Sequence, residues 1–171
     1  MSFIQNNISS LVQEQTVSGA STVNFTNLNN SGFSNFRLLI TNLTESINST
    51  MNIRISTDGS TYINTGYTSG STYTTVGASS WFNTTDTTGL IIFPGGAGVA
   101  GAGAAIAATV YNITSGTSYI LCNGETTLWT ATALLHGFFS GRYNTISTAA
   151  VAIQVTSSGT MAGNFFLYGY L

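Results

Sequence analysis

The chain has 171 residues, 43% hydrophobic but only 5% charged, with three arginines, no lysine, five acids and a formal net charge of −2. That length suits one domain burying roughly 70% of its unfolded surface. Three scattered cations (Arg37, Arg54, Arg142) are too few to neutralise phosphates, so nucleic acid is not an expected partner. So weakly charged a surface gives copies little mutual repulsion, which suits life in an assembly.

Residues 1–20 read either as an N-terminal arm touching a neighbour or as a first strand. Ile4, Ile8 and Leu11 have helical spacing, whereas LVQEQTV reads as extended. No basic region followed by a long apolar run is visible there, so no export signal is expected. Residues 21–171 are expected to form a single β-sandwich domain. Val23 and Phe25 open a short strand, and NLNNSGFSN is a cluster of turn residues.

Two half-buried strands follow. Phe36, Leu38 and Ile40 alternate with Arg37, Leu39 and Thr41, and Met51, Ile53 and Ile55 alternate with Asn52, Arg54 and Ser56. Asp58-Gly59 predicts a type I′ hairpin, with Thr57 opposite Ser60 and Ile55 facing Tyr62. The region after Tyr67 reads as loop with one or two short strands, anchored by Tyr73 and Trp81. Leu90 to Phe93 is a brief apolar run closed by Pro94, and the Gly/Ala tract 95–105 lies beyond it. Val110–Ile113 and Tyr119–Cys122 predict strands separated by a Ser-Gly turn, and Leu128 to Leu135 is a further apolar segment. FFSGRYNT and SSGTMAG predict turns on either side of the alternating Val151, Ile153 and Val155. The last stretch, NFFLYGYL, is apolar on both faces and predicts a central strand covered on both sides. Many short strands and no amphipathic helix indicate an all-β antiparallel sandwich, with a jelly roll the preferred topology.

Chemistry is sparse. Gly96 to Gly101 spells GxGxxG, and Glu125 lies near the spacing of a ribose-binding acid, but Pro94 and Gly95 interrupt the strand and no βαβ unit surrounds it. A dinucleotide cofactor is therefore not expected. Leu90 to Tyr111 is uncharged and long enough to span a bilayer, but its Gly/Ala content, Pro94 and bare flanks argue for a closely packed loop at a subunit contact. His136 is the only histidine and sits in ALLHGFF, where a satisfied core or interface residue is expected. No Gly-x-Ser-x-Gly elbow occurs, and one His, one Cys and scattered acids predict no metal site. Asp58-Gly59 lacks the acids of a calcium loop. Cys122 reads as a small buried apolar residue. No catalytic, cofactor or metal residue is assigned, and no enzymatic activity is expected. Tyr62, Tyr67, Tyr73, Trp81 and Trp129 stand among polar neighbours as candidate ligand or partner contacts: a sugar-stacking platform, or filling for the core and subunit interfaces.

The pair FRLLITNL…MNIRISTDGSTYINTGY and GRYNT…VAIQVTSSGTMAGNFFLYGYL resembles a group of small bacteriophage structural proteins. These carry a strand with an STDGG-S-Y turn early and an SG-x-x-x-G-x-F-x-LYG ending. Ser56-Thr57-Asp58-Gly59-Ser60 lacks the second glycine, while Ser158-Gly159 to Gly163, followed by Phe166-Leu167-Tyr168-Gly169, matches. About two-thirds of the chain is covered, and the Gly/Ala tract falls outside. The resemblance implies a jelly-roll-like, non-enzymatic virion component, assembled in the host cytoplasm. Its partners would be itself, with a homotrimer favoured, and other virion proteins. A capsid decoration or head-fibre protein is the first reading; a tail-associated, lectin-like module binding a host surface glycan is the second. A lectin should gather aromatics and acids in loops at one end of the sandwich, and a decoration protein should offer an arm or a broad face.

Overall fold

A computed structural model describes residues 9–47, 49–76, 82–93, 103–129, 133–145 and 149–171. The strands are β1 (Ser10–Phe25), β2 (Asn35–Glu45), β3 (Met51–Ser56), β4 (Tyr67–Thr75), β5 (Phe82–Asp86), β6 (Leu90–Phe93), β7 (Ala104–Tyr111), β8 (Leu121–Trp129), β9 (Leu134–Tyr143) and β10 (Ala152–Tyr170). All their pairings are antiparallel. The only helical piece among the described residues is a short 3₁₀ turn at Leu28–Asn30, so the all-β expectation holds.

The organising element is β10. Its first part, Ala152 to Ser157, pairs with β3, and its second part, Met161 to Tyr170, pairs with β2. Along its other edge β1 follows it through both parts. The long β1–β10 ribbon therefore belongs to two layers. The larger runs β5-β4-β9-β8-β7-β2-β10-β1, and the smaller runs β6-β3-β10-β1. β6 folds back against β4, β8 and β9, which closes the sandwich. This pairing does not divide into the two separate four-stranded sheets that the preferred jelly roll requires.

Between the layers lie Phe36, Leu38 and Ile40 of β2, Ile53 and Ile55 of β3, Ile92 and Phe93 of β6, Ile153 and Val155, and Phe165 and Leu167 of β10, all buried. The alternation read in β2 and β3 thus marks the core face. Burial of each such side chain contributes about 1.5–3 kcal/mol relative to exposure. Cys122 also lies inside, 3% exposed, and burial pushes its thiol up to about 12.

Several turn assignments fail for related reasons. SSGTMAG is not a turn: β10 runs straight through it, and its glycines sit where the strand passes from one layer to the other. Gly163 has φ 153° and a register shift beside it, and a Cβ there would come within 3.0 Å of the Thr41 carbonyl oxygen. Small residues allow the ribbon to bend sharply at this corner. FFSGRY likewise belongs to β9, held on both sides by β4 and β8. The alanines of the Gly/Ala tract, from Ala104 onward, enter β7 rather than a loop, with β2 and β8 on either side. Residues 94–102, with the GxGxxG match, lie outside the described residues.

The Asp58-Gly59 hairpin is also corrected. Both edges of β3 are already taken, by β10 and β6, so β4 cannot pair with it. Only Gly59 has positive φ (83°), whereas a type I′ turn needs two such residues. The Asp58 carboxylate instead accepts hydrogen bonds from the backbone N–H groups of Ser60 (2.8 Å) and Thr61 (2.7 Å) and from the Ser56 hydroxyl (2.9 Å). These bonds, led by that from Thr61, hold the carboxyl well below the usual range. A side chain that satisfies its own loop competes successfully with a two-residue hairpin.

Candidate functional site

Because β-strand side chains alternate, the larger layer has a second, outer face. Cross-strand register places Tyr168, Arg37, Thr109, Asn123 and Ser140 in one row across β10, β2, β7, β8 and β9. The next row holds Phe166, Leu39, Ala107, Glu125 and Phe138, ending at Thr72 of β4. Here the expectation that β10 is covered on both faces is corrected. Phe165 and Leu167 are fully buried, but Phe166, Tyr168 and Tyr170 on the opposite face are only half-buried.

Three shallow depressions line up on this face. The first, of about 420 Å³, is bounded by Tyr168, Tyr170, Arg37 and Thr109. The second, of about 480 Å³, shares Arg37 and Thr109 with it and continues past Asn123 and Glu125 to Phe138. The third, also about 480 Å³, lies beyond Phe138, beside Ser140 and Thr72. Together they form a furrow running from β10 to β4. At about 4.8 Å per strand, those five steps span roughly 24 Å.

The furrow carries Tyr168 and Tyr170 at its β10 end and Phe138 on β9, with polar groups between. Phe138 is 51% exposed and meets the His136 ring edge-on, with centroids 4.8 Å apart. His136 Nδ1 also shares a 3.2 Å hydrogen bond with the Thr127 hydroxyl. His136 thus stands half-buried on an outer strand face rather than in the core. At the other end, burial and neighbouring Tyr111 push the Tyr170 hydroxyl up to about 12, so it keeps its proton at physiological pH. Arg37, Asn123 and Glu125 are exposed, and one cation with one anion leaves the furrow without net charge.

The aromatic residues singled out from the sequence are not brought together. Tyr67 is 2% exposed: its hydroxyl donates to the Ile63 carbonyl (3.0 Å) and accepts from the Ile55 N–H (3.0 Å), pinning the loop after β3. Its ring packs on Tyr143 at 5.1 Å. Tyr73 is half-buried on the inner face, where a Cβ on Gly137 would lie 2.9 Å from its own Cβ. Tyr62 is half-buried in the loop, where burial and then the Asp58 charge raise its hydroxyl. Trp81 lies outside the described residues. Trp129 is 58% exposed at the end of β8, where it pairs with Leu134. Of the furrow residues, Phe138, Tyr168, Tyr170, Arg37 and Asn123 were not among the candidates, and Glu125 was weighed only beside the GxGxxG match. Their signal is one of phase: once Phe165 and Leu167 face inward, Phe166, Tyr168 and Tyr170 must face outward.

A second cluster is polar and buried. Glu45, 3% exposed, accepts hydrogen bonds from the hydroxyls of Ser49 (3.1 Å) and Ser157 (2.6 Å) at the corner of β10. Its Oε2 has no protein partner, and burial raises its pKa. Among the described residues, no group of three or more His, Cys, Asp or Glu side chains gathers as a metal site. No helix there is long and apolar enough to cross a membrane.

No protein-family model matches the sequence, and no curated protein matches it either. Among solved structures, the chain is similar to the CBM2 module of the evolved Dit from Lactobacillus casei BL23 phage J-1. That likeness has 6% identity and a TM-score of 0.25, and covers 87% of this chain and 68% of that one. It is also similar to an aerolysin-like protein of Bombina maxima, at 8% identity and a TM-score of 0.14 over 92% and 89% of the two chains. Likeness at this level carries no argument about function.

Proposed function

We propose that the protein is a non-enzymatic structural component of a bacteriophage particle that assembles as a symmetric homo-oligomer, with a trimer favoured. The observation that carries this reading is an uncharged apolar patch at one end of β4, β9 and β8. Trp129 is paired with Leu134, and Val76 donates its N–H to the Leu134 carbonyl at 2.8 Å. Trp129 and Val76 are 58% and 57% exposed. Large apolar side chains left open side by side mark a contact surface, and a second copy is the occupant that so weakly charged a chain repels least. The resemblance of residues 56–60 and 158–169 to small phage structural proteins supports placing that assembly on a virion.

A capsid decoration or head-fibre role is favoured over a tail receptor-binding module, because Tyr62, Tyr67, Tyr73 and Trp129 are dispersed between loop, core and strand end rather than gathered in loops at one end of the sandwich. The test is light scattering after gel filtration at micromolar concentration, with the wild type beside Trp129→Ser and Val76→Ser. A trimer that dissociates in the variants is expected. A monodisperse wild-type monomer would overturn the assembly reading. Cryo-EM of the particle tests location: density repeated over the capsid lattice is expected, and density at the tail alone would favour the receptor-binding alternative.

A further inference from the structure

We propose that the furrow from Tyr168 and Tyr170 to Phe138 is a binding site for a neutral oligosaccharide lying across the strands. A pyranose ring presents an apolar C–H face and a rim of hydroxyls. The furrow offers both complements: aromatic rings at its two ends for C–H faces, and Arg37, Asn123 and Glu125 between them for hydroxyls. The guanidinium, amide and carboxylate are planar groups, each able to engage two adjacent hydroxyls at once.

Other ligand classes fit less well. An extended peptide binds a sheet through backbone hydrogen bonds at a free edge, but the strands that floor the furrow between β10 and β4 are paired on both sides. A polyanion needs several cations, and Arg37 is the only one lining these depressions, one of which Glu125 also lines. A compact apolar ligand needs an enclosed cavity, whereas these depressions are shallow and continuous. The four strand steps from Tyr168 to the β9 strand of Phe138, roughly 19 Å, call for a chain of several units. The Val76–Trp129 patch lies on the same outer face, two register rows from Phe138, so Phe138→Ala and Trp129→Ser read out glycan binding and oligomerisation separately.

The experiment is retention of the wild-type chain on an immobilised panel of neutral oligosaccharides of four or more rings, beside Phe138→Ala, Asn123→Ala and Tyr168→Ala. Thermal melts establish that each variant is folded, and Trp129→Ser controls for avidity. The expected result is retention on at least one neutral structure. It should survive 0.5 M salt and fall about tenfold or more in Phe138→Ala, while Trp129→Ser still binds in solution. The proposal is overturned if no neutral glycan retains the wild type, if retention is unaltered in all three furrow variants, or if only sulfated or sialylated glycans bind and salt releases them.

Discussion

The ring of Phe33 lies directly on Gly169: a Cβ built on that glycine would collide with Phe33 Cδ2 and Cγ and lie 2.9 Å from its Cβ. Gly169 ends the LYG motif shared with the small phage proteins, and the structure gives that glycine a physical reason. The aromatic ring of the connection before β2 is seated where β10 has no side chain. Gly169→Val is expected to destabilise the fold by about 1–3 kcal/mol, the usual cost of overpacking, and Gly169→Ala by less. Urea denaturation measures both; an unchanged midpoint would show that Phe33 packs elsewhere.

Tyr67→Phe removes one hydroxyl that serves two backbone groups, the Ile55 N–H buried and the Ile63 carbonyl half-buried. The Ile55 N–H loses its acceptor, as β3 gives way to the loop, and leaving a buried donor unpaired costs about 1–3 kcal/mol. Hydrogen exchange should accelerate at Ile55 and Ile63 more than in β7 or β8. Uniform acceleration across all strands would indicate a global effect instead.

Glu45 sets a pH dependence whose sign follows from its burial. Its folded-state pKa is raised, so the folded chain holds its proton more tightly than the unfolded chain does. Stability from this group is therefore full below the unfolded carboxyl value and is lost as pH rises through the folded one. Glu45→Gln keeps an acceptor for Ser49 and Ser157 without a charge. It should melt higher than wild type at pH 8, with the difference shrinking toward pH 4. A difference that grows on acidification would contradict the burial argument.

Gly59→Val is expected to lower the melting temperature although Gly59 is not in a hairpin. Its φ of 83° is strained for any β-branched residue, while the added Cβ itself would meet only Val151 Cγ2 at 3.7 Å. The loss therefore comes from backbone conformation, and Gly59→Asn should recover part of it. Equal melting of Gly59→Val and wild type would remove the need for positive φ.

Local signals found strands more readily than partners. Phe36-Leu38-Ile40 and Met51-Ile53-Ile55 were legible because alternation records which face is buried, whatever lies opposite. Asp58-Gly59 misled because pairing of β3 is decided by β10, about a hundred residues away in sequence. Ser158-Gly159 misled in the opposite direction: residues that permit a turn equally permit a bend within a continuous strand. The furrow was least legible. Tyr168, Arg37, Asn123 and Phe138 become neighbours only through the registers of β10, β2, β7, β8 and β9, and no stretch of sequence contains that arrangement.

The β1–β10 ribbon has a consequence for how the chain is made. β1 leaves the ribosome well over a hundred residues before β10, yet each needs the other along nearly its whole length. Until β10 is made, β1 lacks the partner it has in the folded chain, and neither layer can close. So high a contact order predicts slow folding. In the folded chain the Gln13 and Gln15 amides donate to the Thr26 (2.5 Å) and Asn24 (2.6 Å) carbonyls of the same segment, contacts that need no distant strand. A nascent β1 folded upon itself in this way would present a shorter sticky edge to its neighbours on a polysome, where many copies of one weakly charged chain emerge side by side.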